Sequence, residues 1–551
     1  MTTTLLCVRE NQKQTIKSVL LPTDCGQKVL MRTLLTLLAI VPVLSQCHAE
    51  DADLLLTGAT VIDGSGNVGV AADIAIRDDI IVRVGNCSDI DAVWTINCKG
   101  KVICPGFIDL HNHSDRQIVR PKTRAAVNYV TQGCTTIVTG NCGSGPVDTG
   151  AYLRKIDVSG AGPNVAHLIP QGSVREQVLG SVNVAATPKQ IQEMRDLCDQ
   201  AMRDGAWGMS TGLIYVPSSY ADTTELIELA KVVGRHGGIY ASHIRGEGTG
   251  LLKSVDEALE IGRQADVPVH VSHFKSSGQD AWGLVREAVR MIEKERSAGH
   301  TVTADQYPYI ASSTSLGATL LPSSARAGGS QALIRRLDDP ESGPPLIRTI
   351  ERSVQKRDSG RAVRIARYAP RQSYVGKNLA EIAVMENQSA AQIAEEIIRG
   401  GGASVVNFSM DEADVRHVMA VPWVATASDG RAYLPGADRP HPRNYGTFPR
   451  KLAYYSLEEK VIPLERAIRS MTSLPAEILG LSDRGVLRPG LKADVVVFDP
   501  TDLRDQATFD APHQYATGIE YVLVNGTMVV SRGIPTGALP GRPLRHHHNN
   551  K

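Results

Sequence analysis

The sequence predicts an α/β fold in which a (β/α)8 TIM-like barrel is joined to a small β domain made from both ends of the chain. Helix-like and strand-like segments alternate through the middle of the chain, and short strand-like runs stand on either side of that region. The length of 551 residues exceeds one ordinary domain. A barrel with additions absorbs most of that length.

The small β domain is predicted over residues 50–103 and 487–538. Its strand-like runs, which turn residues separate, lie at 54–58, 60–64, 80–85, 493–499 and 521–526. The two ends of the chain therefore have the same local texture. We expect them to form one β-sandwich-like domain.

The barrel is predicted over residues 104–486. A capping box at Thr187–Gln190, with Pro188 at the first helical position, begins a helix whose apolar residues share one face. Strand-like and helix-like segments then alternate to about residue 305, which predicts parallel strands joined by right-handed crossovers. Residues from about 311 to 375, rich in Ser, Gly, Pro and Arg, fit neither period, and we expect an insertion over the barrel mouth.

The two ends of the chain are predicted to lie outside the folded domains. Residues 1–49 read as an upstream segment followed by a secretory signal, with Met31 as the start, an apolar stretch too short to span a bilayer permanently, and cleavage after Ala49. Lipid attachment at Cys47 is the alternative. Either route predicts an exported protein, periplasmic or secreted. The polar tail 539–551, with His546, His547 and His548, is expected to be disordered.

Composition narrows the class of partner. The formal net charge is +1 and aromatic residues make up 5% of the chain, so the basic surface and stacking residues of nucleic-acid-binding proteins are lacking. A small-molecule substrate is expected, while the oligomeric state stays open. Six of the nine cysteines follow Cys47 without the dense spacing of a disulfide scaffold, and apart from Cys142 they are expected to be buried thiols.

Two histidines one residue apart give the first indication of chemistry. His111 and His113 follow an apolar, strand-like run that Pro105-Gly106 precedes, and alternate strand residues point to the same side. The pair therefore lies at the carboxyl end of a predicted barrel strand, where barrel enzymes build their active sites. Two imidazoles directed at one point suggest a metal ion.

Four more metal-competent side chains follow predicted strands in the same way: Cys142, His243, His273 and Asp429. Any one of them alone could be an inert thiol, a core histidine or a turn aspartate. Because the strand ends of a barrel meet at one mouth, the set together predicts a metal site. His270 lies an odd number of positions before His273, so we expect it on the opposite face in a structural role.

Several separated motifs carry a resemblance to a known family. They are Pro105-Gly-Phe-Ile-Asp-Leu-His-Asn-His113, Gly140-Asn-Cys-Gly143, Ala241-Ser-His-Ile-Arg245, Ser272-His-Phe-Lys275, Ala427-Ser-Asp-Gly430 and His441-Pro-Arg-Asn-Tyr-Gly-Thr-Phe-Pro-Arg450. From about residue 53 to 535 the chain resembles the amidohydrolase superfamily, and within it the D-aminoacylases, the N-acyl-D-amino-acid deacylases. The resemblance implies a metal-dependent barrel with a small β domain.

The resemblance also implies a ligand set. Cys142, which stands where many amidohydrolases have a carboxylated lysine, would hold a tight zinc ion with His243 and His273. His111 and His113, together with Cys142 and Asp429, would form a second, weaker position. Thiolate and imidazole are both ligands that zinc prefers.

The expected reaction is hydrolysis of the linear amide of an N-acyl-D-amino acid. Zinc with an open position activates water and polarises the carbonyl, and Asp429 would serve as general acid and base. Arg443 offers a bidentate fork for the substrate carboxylate and Lys275 a second positive charge. The resemblance adds Tyr215, Tyr307 and Ser313 as substrate-binding residues, for which packing roles remain the alternative.

Two other functions stay open at this point. The first is a cyclic-amide hydrolase of the hydantoinase or dihydroorotase kind, which shares the barrel and the His-x-His pair. Those enzymes resemble each other in a bridging carboxylated lysine, whereas the corresponding strand end of this chain carries Cys142. An exported, non-catalytic metal-binding protein is the second alternative. A complete ligand set beside a free Asp429 disfavours it, since a structural zinc site is closed. Neutral, glutamate-like and aspartate-like substrates all remain open.

Overall fold

The computed structural model describes residues 51–546. The predicted start at Met31, the predicted signal segment, Cys47 and the histidines 547 and 548 lie outside the described residues. Within the described residues, every helix is too short or too polar to cross a membrane.

The strands, numbered in chain order, lie in the predicted β domain, in the predicted barrel and in an inserted layer. They are β1 (Ala52–Val61), β2 (Val70–Arg77), β3 (Ile80–Gly85), β4 (Ala92–Asn97), β5 (Val102–Pro105), β6 (Phe107–Asp109), β7 (Cys134–Thr139), β8 (Asn164–His167), β9 (Ile169–Pro170), β10 (Gly208–Gly212), β11 (Ile239–His243), β12 (Val269–Val271), β13 (Val302–Gln306), β14 (Ala311–Ser315), β15 (Val363–Arg367), β16 (Ser404–Phe408), β17 (Val424–Thr426), β18 (Val495–Phe498), β19 (Ile519–Val524), β20 (Thr527–Ser531) and β21 (Ile534–Pro535).

Most helices lie between consecutive barrel strands or in the inserted layer. They are α1 (Val127–Val130), α2 (Thr149–Ser159), α3 (Gln171–Leu179), α4 (Pro188–Arg203), α5 (Thr223–Arg235), α6 (Leu251–Ala265), α7 (Leu284–Ser297), α8 (Leu316–Leu320), α9 (Gly329–Asp338), α10 (Gly343–Gln355), α11 (Leu379–Glu386), α12 (Ala390–Arg399), α13 (Glu412–Met419), α14 (Arg443–Arg450), α15 (Leu464–Arg469) and α16 (Ser473–Leu479). A π-helical segment, Lys451–Glu458, continues α14.

The predicted alternation of strands and helices is confirmed. One parallel sheet has the order β17-β13-β12-β11-β10-β9, and a second has the order β6-β7-β8. Only Leu168 separates β8 from β9, and a parallel bridge between Asn112 and Gly430 links the residues after β6 to those after β17. When β8 and β9 are counted as one strand interrupted at Leu168, eight parallel strands follow the circular order of a (β/α)8 barrel. The regular ladders leave both junctions between the two sheets incomplete.

The helix α4, over Pro188–Arg203, begins at the capping box that the sequence predicts. Thr187 accepts a hydrogen bond from the Gln190 backbone N–H at 3.4 Å, and the Gln190 side chain caps the Thr187 N–H at 3.0 Å. On its inner face Met194 and Ala201 are buried. Local capping and helical periodicity thus agree, as the sequence predicted.

The small β domain is one sheet built from both ends of the chain, as predicted. Its order is β21-β20-β19-β18-β5-β1-β2-β3, with β4 paired to β1. The two ends meet where β5 runs antiparallel to β18, with Cys104 opposite Val496. β1 is irregular between Leu56 and Ala59, so its first half pairs with β4 and its second half with β5.

The region after β13 forms a layer of its own. β14, β15 and β16 make an antiparallel sheet of order β14-β16-β15, and helices α8 to α12 pack around it with their own apolar core. The layer runs from Ala311 to Phe408, so it extends past residue 375, where the sequence pattern suggested that the insertion ends. Its first strand, β14, is Ala-Ser-Ser-Thr-Ser and mostly half-buried, and that composition lacks the apolar alternation by which a strand is recognised.

Residues 541–546 are ordered, so the expectation of a disordered tail is wrong for this segment. Gly541 and Pro543 form bridges with Ala161 and Val165, and the Leu544 backbone N–H donates to the Val165 carbonyl at 2.8 Å. Trp207 Nε1 donates to the Leu544 carbonyl at 2.7 Å. The segment thus pairs with the backbone of β8 through Val165, a contact that the polarity of the tail does not predict.

The cysteines of the described residues are all buried free thiols: Cys87, Cys98, Cys104, Cys134, Cys142 and Cys198. This confirms the expectation from their spacing.

Candidate metal centre

The predicted ligands lie at the carboxyl ends of five parallel strands. His111 and His113 follow β6, Cys142 follows β7, His243 ends β11, His273 follows β12 and Asp429 follows β17. All of these strand ends open on the same mouth, because the strands are parallel. The structure therefore brings together the six side chains that the sequence predicted to converge.

The Cys142 thiol lies at the centre of this group. Its Sγ is 3.3 Å from His111 Nε2, 3.7 Å from His243 Nδ1 and 3.7 Å from His273 Nε2. Two ligands of one tetrahedral zinc ion, with bonds of about 2.0 and 2.3 Å, lie roughly 3.5 Å apart. The observed spacing fits that requirement, and the imidazoles hold the pKa of the Cys142 thiol well below its usual value although burial opposes this.

A second group adjoins the first through His111. His113 Nε2 is 3.0 Å from Asp429 Oδ1, and His111 Nε2 is 3.7 Å from the same oxygen. His111, His113 and Asp429 can thus present three ligand atoms to one ion, as can His111, Cys142 and His273. The two groups share His111, so the candidate ligand atoms form one continuous cluster.

Three of the site residues have an uncommon backbone conformation. Cys142, His273 and Asp429 have φ values of +52°, +36° and +49°. Side chains other than glycine rarely adopt this left-handed region, and a residue held there costs of order 1–3 kcal/mol. Such a turn directly after a strand returns the side chain toward the barrel mouth, so the strain accompanies the placement of these three groups.

The turn that carries Asp429 is held by another buried carboxylate. Asp109 accepts the Ser428 backbone N–H at 2.8 Å and the Ser428 hydroxyl at 2.5 Å, and the Asp429 N–H donates to the His111 carbonyl at 2.8 Å. These bonds tie the end of β17 to the end of β6. Asp429 is thereby fixed relative to the histidine pair.

Arg443, in the first turn of α14, forms an ion pair with Asp429. Its Nη1 lies 2.8 Å from Asp429 Oδ2, and only 5% of its side chain is exposed. Burial alone would raise the pKa of the Asp429 carboxyl, but Arg443 and His113 hold it well below the usual value. The two cationic neighbours thus favour the ionised form of Asp429, in which the carboxylate can accept a proton.

Glu247 is a site residue that the sequence analysis missed. Its Oε1 is 2.9 Å from His273 Nδ1 and 2.5 Å from Lys275 Nζ, and with His243 and His273 it forms a third group of candidate ligand atoms. It lies four residues after His243 in the glycine-rich segment Gly246-Glu247-Gly248. The short spacing between this carboxylate and His243 was the sequence signal that could have identified Glu247 as a site residue.

Lys275 lies against Glu247 and His273 and is not a free second cation. Its Nζ donates to Glu247 and lies 2.8 Å from both His273 Nδ1 and the His273 carbonyl, and the residue is 8% exposed. Since Glu247 already neutralises the ammonium, a substrate carboxylate would have to share it.

The other predicted substrate residues lie at or behind the wall of one cavity. This cavity, of about 790 Å³, is lined by His113, Cys142, Tyr215, Ser313, Asp429 and Arg443 among others. Tyr307 is buried behind it, with the Arg443 guanidinium 4.7 Å and Lys275 Nζ 5.7 Å from its ring centroid. The Tyr215 hydroxyl bonds to Thr314 at 3.2 Å, and the Ser313 carbonyl accepts from Arg443 at 3.5 Å.

Known proteins resemble this chain over most of its length. Residues 95–530 match the model of the Amidohydrolase family. D-aminoacylase of Alcaligenes xylosoxydans xylosoxydans is 36% identical, over 91% of this chain and 99% of that protein. N-acyl-D-glutamate deacylase of the same organism is 34% identical, over 90% and 97%. The solved structure of N-acyl-D-glutamate deacylase from Bordetella bronchiseptica, in complex with zinc and a phosphonate mimic of the tetrahedral intermediate, is 32% identical with a TM-score of 0.78, over 90% and 100%.

Proposed function

The chain belongs to the Amidohydrolase family, and we propose that it is a zinc-dependent hydrolase that cleaves the linear amide of N-acyl-D-amino acids to a carboxylate and a free D-amino acid. The observation that carries this proposal is the placement of Asp429, which lies beside both candidate metal positions and on the wall of the cavity. A side chain so placed can contact ligand atoms and substrate together.

The proposed ligands of the tight zinc ion are Cys142, His243 and His273, and those of a second, weaker ion are His111 and His113 with Cys142 and Asp429. The spacing of Cys142 Sγ from three imidazoles supports this assignment. His243 Nε2 is buried without a hydrogen-bond partner among the described residues, whereas Nδ1 faces the thiol. When bound, zinc lowers the pKa of water toward ~7 and polarises a carbonyl.

Asp429 is proposed to move the protons. Its carboxylate accepts a proton as water adds to the amide carbonyl, and it returns that proton to the leaving nitrogen as the C–N bond breaks. His113, at 3.0 Å, orients the carboxylate from one side and Arg443, at 2.8 Å, from the other.

Arg443 is proposed to bind the α-carboxylate of the substrate. The planar guanidinium suits bidentate recognition of a carboxylate, and it lies on the cavity wall next to Asp429. A bound substrate would therefore compete with Asp429 for the same cation, and it would weaken the ion pair that restrains the base. Lys275, Tyr215, Tyr307 and Ser313 are proposed to complete the substrate contacts.

The competing activity is hydrolysis of a cyclic amide. Its known enzymes resemble each other in a bridging carboxylated lysine, whereas the equivalent strand end here carries Cys142. The thiol supports the linear-amide reaction, and a substrate panel can separate the two.

The deciding experiment measures free amino acid released from N-acetyl-D-methionine, N-acetyl-D-glutamate and N-acetyl-D-aspartate, each beside its L-form, with zinc counted in the same preparation. We expect bound zinc and faster release from at least one D-form. Hydrolysis of dihydroorotate or hydantoins in preference to all of these would overturn the substrate assignment. A zinc-free protein that is fully active would overturn the mechanism.

Export is a further part of the proposal, supported by residues 31–49 of the sequence. Amino-terminal sequencing and intact mass of the protein recovered outside the cytoplasm test it. A mature chain that begins at Glu50 would support cleavage after Ala49, and a lipid-modified chain that begins at Cys47 would support the anchored alternative. A full-length chain retained in the cytoplasm would contradict export.

A further inference from the structure

A single buried carboxylate, that of Asp305, contacts residues of both candidate metal positions. Asp305 lies near the end of β13 and is 1% exposed. Its Oδ1 accepts the backbone N–H of His273 at 2.7 Å, and its Oδ2 lies 3.5 Å from His111 Nδ1. His273 belongs to the proposed tight position and His111 to the weaker one.

The contact with His111 concerns the ring nitrogen that does not face the metal position. His111 Nε2 points toward Cys142 and Asp429, at 3.3 and 3.7 Å, while Nδ1 points away from both toward Asp305. Nδ1 has no hydrogen bond among the described residues, and Asp305 Oδ2 is the carboxylate oxygen beside it. A proton on Nδ1, attracted by that carboxylate, leaves the Nε2 lone pair available to a metal ion.

The contact with His273 concerns the strained turn. His273 has φ +36°, and this conformation needs a restraint, since an unrestrained histidine prefers negative φ. The hydrogen bond from the His273 backbone N–H to Asp305 Oδ1, at 2.7 Å, provides that restraint just after the end of β12.

His270 holds the carboxylate in place. Its Nε2 is 2.9 Å from Asp305 Oδ2, and its Nδ1 is 2.9 Å from the Thr303 hydroxyl. All of these groups are buried. The histidine that the sequence placed on the face opposite to the ligands thus reaches the centre through Asp305.

We propose that Asp305 is a positioning residue that orients His111 for metal binding and fixes the turn of His273, so that one carboxylate sets the placement of the two metal positions relative to each other. The proposal rests on the proposed function only for the assignment of zinc to this site. His270 holds Asp305 in place, so its loss should weaken zinc binding less than the loss of Asp305.

The test is zinc binding by the full chain without substrate, measured by equilibrium dialysis, for wild type, Asp305→Asn and His270→Gln. An asparagine oxygen can still accept the His273 N–H, but its NH2 would donate to His111 Nδ1 and place the ring proton on Nε2. We therefore expect the Asp305→Asn variant to keep the tight zinc within about threefold and to bind the second zinc ~10–100-fold more weakly. His270→Gln should weaken the second zinc ~2–10-fold, because the carboxylate remains.

Cobalt substitution gives a second readout. The visible spectrum of the protein with two cobalt ions should lose the contribution of the second ion in Asp305→Asn and retain that of the first. Equal weakening of both ions, or two ions bound as in wild type, would overturn the proposal. If Asp305→Asn fails to fold, as judged by its thermal unfolding, His270→Gln decides by the same two outcomes. Wild type that binds no zinc would instead overturn the proposed function.

Discussion

The two sides of the candidate metal centre lie against different ion pairs. Behind His273 lies the pair Glu247–Lys275, and behind His113 lies the pair Asp429–Arg443. The His273 side chain is 2% exposed and that of His113 is 21% exposed. Asp429, Arg443 and His113 all line the cavity, whereas His273 and its pair stand behind the wall.

This difference suggests separate roles: the enclosed side retains the metal ion, and the open side brings it together with water and substrate. Histidine ligands that are closed off from the cavity help to retain an ion, while a ligand group that opens on a cavity leaves room for water and substrate. The ion pair on the enclosed side restrains a ligand. The ion pair on the open side joins the proposed base to the proposed carboxylate receptor, so the same guanidinium would respond to substrate.

Cys142→Ala should have the largest effect, because Cys142 is a proposed ligand on both sides. We expect the zinc content to fall to a small fraction of wild type and kcat/KM to fall by more than ~10⁴-fold, since both water activation and carbonyl polarisation go with the metal. Metal analysis and the D-substrate panel measure this. Cys198→Ala, which removes a buried thiol in α4, is the matched control and should leave the zinc content unchanged.

A Cys142→Ala protein that retains zinc and activity would show that the two sides do not share this ligand. The comparison between an enclosed side and an open side would then have to be drawn from the histidines alone.

Asp429→Asn should have the next largest effect and should be confined to the open side. Loss of the proton acceptor is expected to lower kcat by ~10²–10⁴-fold, and the tight zinc should remain bound. Single-turnover rates with parallel metal analysis test both parts. Asp199→Asn, which disturbs an aspartate of α4 paired with His236 at 2.7 Å, controls for removal of a carboxylate away from the cavity. Full activity of Asp429→Asn would exclude the proposed proton transfer.

Arg443→Lys keeps the positive charge but removes the planar fork. We expect kcat/KM for N-acyl-D-amino acids to fall ~10–100-fold, mainly through KM, because a lysine makes point-charge contacts in place of a bidentate pair. Arg450→Lys, in the same helix and paired with Asp505 at 3.1 Å, is the matched control. If the variant instead loses kcat with KM unchanged, Arg443 acts on Asp429 and not on the substrate carboxylate.

Parts of this centre could be read from the sequence, and others could not. His111, His113, Cys142, His243 and Asp429 follow recognisable strands, so the parallel order of those strands places them at one mouth. The prediction needed only local periodicity and the rule that strand ends meet.

The contacts of the residues behind the ligands could not be read from local spacing. Asp305 lies near the end of β13, but its contacts with His111 and His273 cross between different strands. Lys275 read as a free cation because Glu247, its partner, lies 28 positions earlier in the chain. Pairings of this kind depend on how strands and loops pack in three dimensions, and sequence spacing does not encode them.

His113→Ala gives the smallest expected effect and the sharpest test of the difference between the two sides. His113 contacts Asp429 at 3.0 Å, but it is not among the proposed ligands of the tight zinc ion, Cys142, His243 and His273. The second zinc should therefore bind at least ~10-fold more weakly, while the tight zinc stays within about threefold of wild type. Because Asp429 retains its bond to Arg443, kcat/KM should change by less than ~10-fold, as expected for loss of one orienting contact out of two. Zinc dialysis and steady-state rates at matched free zinc measure the two quantities. Loss of the tight zinc in this variant would mean that the enclosed side depends on the open one, and the division between a side that holds metal and a side that uses it would fail.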